Sequence, residues 1–238
     1  MPTVARPMNE HLNRQFDVEL DRIRTRVLQM GGLVEAQVRA ALAAFDEGNV
    51  ESMREIVRTD RQVNAYELVI NEECTLLIAK RQPTARDLRL VVALSRLVTD
   101  LERIGDKATK IANKSRKLYQ TGKIGLPYPV ELRQCGQLAV EMLHDALDAL
   151  ARMDLATARR IIGADDALDR GFNALMRRLI AQMTDDPRTI GEALAIVWIA
   201  KAIERIGDHA TNIAENIIYI GSGEDVRHAP NLAAPMEK

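Results

Sequence analysis

The chain is predicted to be all-α: two tandem, duplicated three-helix bundles built from six long antiparallel helices. Three observations predict this. The string Glu-Arg-Ile-Gly-Asp occupies Glu102–Asp106 and returns at Glu204–Asp208, 102 positions later in a chain of 238. The copies extend outward: residues 40–49 (AALAAFDEGN) align with 145–154 (DALDALARMD), and 59–61 with 164–166, both at an offset of 105. Aromatic residues are only 3% against 47% apolar and 28% charged. Packing therefore falls to Leu, Ile, Val, Ala and Met, which favours helices over strands rich in aromatic and β-branched side chains. A period near 100 residues exceeds the ~20–50 of a solenoid and matches a duplicated domain. The change of offset from 105 to 102 implies a loop about three residues shorter in the second copy.

The elements follow in order. The first helix is broken by Asp46-Glu47-Gly48-Asn49, and Asn49 is a good N-cap for the second. Gln82-Pro83-Thr84 ends that helix, and Thr84-Ala85-Arg86-Asp87 has the form of a capping box opening the third. Gly122–Pro129 (GKIGLPYP) is the stretch richest in Gly and Pro and marks the domain boundary. The bundles are thus expected over residues 9–121 and 128–221. Asp154 and Asp185-Asp186-Pro187 punctuate the second half at corresponding points. In the last helix Leu194, Val197, Trp198, Ile206, Ile213, Ile217 and Ile220 form an apolar stripe at helical spacing. Residues 222–238 read as a flexible tail.

A formal net charge of −1 gives no global pull toward nucleic acid or acidic membranes. The longest apolar run, residues 193–200, is far short of the ~18 needed for a membrane span. The N-terminus carries no signal-peptide apolar core. Cys74 and Cys135 are isolated, one per half, and read as reduced, buried thiols. A cytoplasmic protein is expected.

Each repeated core sets two carboxylates four residues apart, on one helical face. Short connections make successive helices antiparallel neighbours. The pair Glu102/Asp106 is then mirrored across Pro83 by Asp60 and Asn64, and the pair Glu204/Asp208 across Pro187 by Asp165 and Asp169. The second half gathers four carboxylates at one level, with Asn212 and Glu215 continuing the face. Repulsion among them must be offset by raised pKa values, arginines or a cation. Oxygen ligands suit hard cations, and iron also accepts carboxylates; Mg, Mn, Fe or Zn are the candidates. In the first half Lys110 lies four residues after Asp106, where an ion pair can form, and Asn64 replaces a carboxylate. That site is the weaker metal candidate. The opposing reading is a solvated helix face whose carboxylates pair with Arg103 and Arg205. Gly105 and Gly207, inside helices at a cost of about 1 kcal/mol each, are best explained by close helix packing.

The repeated Leu/Ile-Glu-Arg-Ile-Gly-Asp stretches resemble the PhoU family. So do residues 78–89 (IAKRQPTARDLR), Asn212-Ile213-Ala214-Glu215, and Gly223-Glu224-Asp225-Val226-Arg227-His228. The match runs over nearly the whole chain, with its signatures in the same order in both halves. The resemblance implies tandem three-helix bundles and a regulator of phosphate uptake that represses the phosphate-starvation response. It implies a non-catalytic adaptor linking the phosphate ABC transporter, through its ATPase subunit PstB, to the sensor histidine kinase PhoR. Contact with the membrane would come only through these partners, nucleic acid is not a partner, and a homodimer is expected. Some members carry multinuclear metal clusters on paired E(D)xxxD motifs, which here fall on Glu102/Asp106, Glu204/Asp208 and Asp165/Asp169. Asp60/Asn64 departs from the pattern.

The alternative is a metal-dependent, carboxylate-bridged enzyme or a metal store. A di-iron bundle needs Glu-x-x-His on two helices. One such string exists, Glu141–His144, and its counterparts in the first half are Ala36 and Arg39. His11, His209 and His228 show no ligand spacing, and no Walker A or GxGxxG string occurs. Arg81, Arg86 and Arg89 are secondary candidates for phosphate contact. No catalytic residue is assigned.

Overall fold

The structure is a computed structural model that describes residues 8–120 and 130–226, with side chains from residue 14. The expected boundary Gly122–Pro129 and the tail beyond Val226 lie outside the described residues. Among the described residues six helices run in order: α1 Met8–Glu47, α2 Val50–Arg81, α3 Ala85–Gln120, α4 Val130–Arg152, α5 Leu155–Asp185 and α6 Ile190–Ser222. A 3₁₀ turn, Pro187–Thr189, leads into α6.

Local chemistry sets the breaks. Asn49 caps α2, its side chain accepting the Ser52 N–H at 3.1 Å. Gly48 before it sits at φ +68°, and a Cβ there would stand 2.6 Å from the Tyr119 ring. That ring is held by its hydroxyl, which donates to the Phe45 carbonyl at 2.6 Å. Only glycine suits both the backbone and the space. Asp154 caps α5 by accepting from Ala156 and Thr157 N–H groups, and the Thr157 hydroxyl, then these N–H groups, hold its carboxyl below the usual range. Asp186 caps the 3₁₀ turn through Arg188 N–H. At the start of α3 the bond present is backbone to backbone, Asp87 N–H to Thr84 carbonyl at 3.0 Å. The first hairpin turns over Gln82–Thr84 and the second over Asp186 alone before helical turns resume, which accounts for the shorter second loop.

Helices α1–α3 pack on one another, as do α4–α6; α3 also packs along α6, and α1 crosses α4. Two contacts reveal a pseudo-two-fold axis. A Cβ on Gly31 would meet Leu147 Cδ2 at 2.4 Å, and one on Gly136 would meet Leu42 at 3.3 Å. Gly31 corresponds to Gly136, and Leu42 to Leu147, at the offset of 105. Helices α3 and α6 run antiparallel. Arg89 lies against Gly223 at one end, Asp100 meets His209 and Asn212, and Lys114 lies over Trp198 near the other end. The two Glu-Arg-Ile-Gly-Asp strings therefore sit at one level on either side of the axis. A single apolar core joins both halves.

The apolar stripe expected on α6 needs correction. Ile206, Ile213, Ile217 and Ile220 are buried, but Leu194 and Trp198 are exposed and Val197 is half-buried. In the first turns the buried face is Ala193, Ile196, Ile199 and Ala200 instead. Where α6 is hemmed in by α3, α4 and α5, most sides are apolar, so periodicity in α6 alone does not identify the inward face. No helix among the described residues is long and apolar enough to cross a membrane.

Candidate metal-binding carboxylate clusters

The second bundle brings Asp165 and Asp169 of α5 beside Glu204 and Asp208 of α6, as the mirrored spacing predicts. The field among them is felt at Asp165 and Asp208. Burial, then Asp208 and Asp169, push the Asp165 carboxyl up to about 6 from 3.8. Thr211 lies beside Asp165 and favours its ionised form, though its buried Oγ1 completes no hydrogen bond of normal geometry. Asp208 is also raised, by burial and then by Glu204, against the lowering pull of Arg205 and Lys201. Glu204 is buried, 9% exposed, and its two oxygens differ. Oε1 accepts from Lys201, whereas Oε2 is buried without a hydrogen-bond partner, with Arg205 Nε 3.8 Å away. Arg205 reaches Asp208 at 3.1 Å. Lys201 also lies over Phe172, 5.3 Å from the ring centroid.

Close approach of α5 to α6 depends on Gly207. A Cβ there would stand 2.1 Å from Leu168 Cδ2, so the glycine lets the two carboxylate-bearing helices close up. Gly105 does the same more gently in the first bundle, where a Cβ would meet Gln37 Oε1 at 3.2 Å, Val63 at 3.3 Å and Asp60 at 3.6 Å. Helix packing is the reason for both glycines.

The first-bundle cluster differs in charge. Glu102 is raised by burial and then by Glu67, Asp106 and Asp60, so these carboxylates share one neighbourhood. The expected ion pair is present: Lys110 Nζ lies 2.9 Å from Asp106 Oδ2. Lys107 joins it, its pKa lowered by burial and then by Lys110. Asn64 is exposed. Asp60 accepts from Gln37 Nε2 at 3.4 Å, and the same nitrogen faces Thr109 and the Ile56 carbonyl. Glu67 was not legible as a member, although it follows Asp60 by two helical turns; its counterpart Phe172 is apolar, so the duplication hides it.

Asn212 takes another direction from the rest of its face. Its Nδ2 donates to Asp100 Oδ1 of α3 at 3.1 Å, and His209 Nδ1 lies 2.9 Å from the same oxygen. This group, with Asp100 and His209 buried and Asn212 half-buried, ties the two bundles together. No sequence signal points to it, because Ala202 and Lys107 stand at the related positions. Glu215 is half-buried, one helical turn beyond Thr211. Among the described residues no three His, Cys, Asp or Glu side chains converge closely enough to hold an ion as they stand; Lys201, Arg205 and Lys110 draw carboxylates toward themselves.

Among the remaining candidates, Arg86 is exposed and Arg89 Nε is buried without a hydrogen-bond partner. His144 Nδ1 lies 3.1 Å from Glu35 of α1, and Gln137 donates to Glu141. Arg81 pairs with Glu19 at 2.8 Å, and Arg89 packs on Gly223. Cys74 and Cys135 are free and buried; burial pushes the Cys74 thiol up to about 11. The side chain of His11 and all of His228 lie outside the described residues.

The PhoU domain model matches residues 27–115 and 132–217. The chain is 43% identical over 221 residues to the phosphate-specific transport system accessory protein PhoU homolog of Pseudomonas putida, covering 93% of this chain and 86% of that one. It superposes on the crystal structure of PhoU from Pseudomonas aeruginosa with a TM-score of 0.85 at 42% identity, over 88% of this chain and 100% of the other. It also superposes on the phosphate transport system regulatory protein PhoU from Streptococcus pneumoniae, with a TM-score of 0.81 at 30% identity, over 89% and 99% of the two chains. With tandem matches, end-to-end identity and a shared six-helix architecture, the chain belongs to the PhoU family.

Proposed function

We propose that this chain is an accessory regulator of phosphate uptake in the cytoplasm. It acts as a non-catalytic adaptor between the phosphate transporter's ATPase, PstB, and the sensor kinase PhoR, and it restrains the phosphate-starvation response. The observation that carries this reading is end-to-end similarity to relatives named as accessory proteins of the phosphate-specific transport system. Two related bundles locked in one molecule offer two faces at a fixed separation, which raises avidity for an assembled complex. The test is a deletion strain with a starvation-promoter reporter in excess phosphate. Derepression, with both partners bound by the purified protein, is expected. A silent reporter together with no binding to either partner would reject the adaptor.

The second bundle is the proposed metal site, through Asp165, Asp169, Glu204 and Asp208, with Glu215 and Asn212 flanking. Support comes from the buried Glu204 Oε2, which accepts no hydrogen bond and has Arg205 Nε only at 3.8 Å, and from an all-oxygen donor set under mutual repulsion. A bound hard cation would neutralise the cluster and tie α5 to α6. Glu102, Asp106 and Asp60 form the weaker site, since Lys107 and Lys110 already supply positive charge there. Elemental analysis of wild type against the Glu204→Ala/Asp208→Ala protein, after dialysis without chelator, decides between them. Metal lost from the double variant and largely kept in Glu102→Ala is expected. Equal metal in wild type and double variant would reject the site. Turnover of phosphate esters or oxidation of iron by the loaded protein would favour the enzyme or metal-store reading.

A further inference from the structure

Along α6, Ile190, Leu194 and Trp198 recur every four residues and are 42%, 46% and 59% exposed. Leu194 and Trp198 line a groove of about 480 Å³ against α3. Lys114 and Lys117 form its α3 wall, and Arg188 stands at its end. Lys114 Nζ lies 5.3 Å from the Trp198 ring centroid. The carboxylate clusters make no use of this face, and duplication alone does not produce it. At the related positions of α3 stand Leu88, Val92 and Arg96, so an arginine takes the place of the tryptophan.

The related end of the molecule offers a comparison. Arg89, the counterpart of Gly191 in the groove lining, lies against Gly223 of the run Gly223–Val226. Val226 ends that run buried, and the run carries Glu224 and Asp225. In this same fold, then, a glycine packed on an arginine of α3 leads into two exposed acids and a buried apolar anchor.

We propose that the α3/α6 groove around Trp198 docks an acidic, apolar-anchored segment of a partner protein. Its biological use rests on the adaptor reading; its binding chemistry does not. Leu194 and Trp198 offer the buried aromatic and aliphatic contact on which interfaces concentrate their affinity. Lys114 and Lys117 rim it with positive charge that complements carboxylates on the incoming segment, while Arg188 at its end is paired with Asp186. Anchors one helical turn apart match a helix laid into a groove. An anionic membrane fits less well. Surface attachment calls for roughly four to eight clustered basic residues, whereas here three cations stand with Glu192 and Asp186 among them.

The protein holds one tryptophan, so its fluorescence reports on the groove directly. The probe is a synthetic amphipathic helix free of Trp and Tyr, with Leu and Phe anchors flanked by Glu and Asp; the control carries Lys at the acidic positions. The acidic peptide should shift Trp198 emission to the blue, saturably and less so at high salt. Lys114→Glu/Lys117→Glu should weaken that binding roughly tenfold or more, as loss of a hot-spot contact does. The Trp198→Ala protein, followed with a labelled peptide, should show a similar loss with unchanged circular dichroism. The proposal is overturned by equal binding of both peptides, by no binding, or by indifference to the lysine substitutions. It is also overturned if phosphatidylserine vesicles produce the blue shift, or if emission is already blue or depends on concentration in the protein alone, which would mean the chain itself or a second copy covers the groove. The reporter strain is read separately: a silent reporter rejects the adaptor even where the peptide binds.

Discussion

Gly207 and Gly163 lie in helices facing each other across the same bundle, yet they answer to opposite forces. Alanine is favoured over glycine in a helix by about 1 kcal/mol. At Gly163 nothing stands within 4 Å of an added Cβ, so Gly163→Ala should stabilise the protein by about 0.5–1 kcal/mol. At Gly207 the Cβ would meet Leu168, itself fully buried, and Gly207→Ala should cost about 1–3 kcal/mol through overpacking. Urea denaturation of both variants checks this; a stabilised Gly207→Ala would mean that packing is not why the glycine is there. Asp165 gives a pH-dependent counterpart. Its folded pKa of about 6 lies above the ordinary 3.8, so the folded state holds the proton more tightly. In chelator-stripped protein this group's contribution is greatest below its ordinary pKa. It is lost as pH rises toward 6 and is constant above that. Asp165→Asn should flatten the decline between about pH 4 and about pH 6, measured as the denaturation midpoint against pH. An undiminished decline would place the repulsion elsewhere.

At the level of helices, much of the architecture was legible because the breaks are made by local chemistry. Asn49, Pro83, Asp154 and Asp186 act within a few residues of their own backbone, so sequence alone locates them. The carboxylate level was legible too, because two antiparallel helices joined by a short turn are related by reflection about that turn. What crosses between the bundles was not. The Asp100–His209–Asn212 group, the outward Leu194 and Trp198, and Asn212 leaning toward α3 all depend on how α3 meets α6, which no local period encodes. The group has an energetic consequence. Asp100→Ala leaves the buried His209 ring nitrogen and the Asn212 amide without their shared acceptor. Stability should fall by about 1–3 kcal/mol, the cost of stranding buried polar groups. Asp100→Asn, which keeps an acceptor oxygen, should recover part of it. Equal losses in the two variants would assign the effect to charge rather than to hydrogen bonding.

Over the whole molecule, the apolar core passes without a break from one half into the other. Two sequence repeats therefore need not mean two folding units. Calorimetry should record one unfolding transition with matching calorimetric and van't Hoff enthalpies; two separable peaks would show autonomous halves. The reciprocal contacts Gly31 to Leu147 and Gly136 to Leu42 make the surface between the halves isologous, each presenting the other with the same patch. That is the geometry of a two-fold homodimer. In such a dimer every substitution strikes both partners at once. Tandem fusion removes this constraint: Lys110 stands in one carboxylate cluster while its counterpart is Asn212, and Trp198 stands where the sister helix keeps Arg96. A covalent link that preserves the symmetric contact has left each half free to change its own outer face.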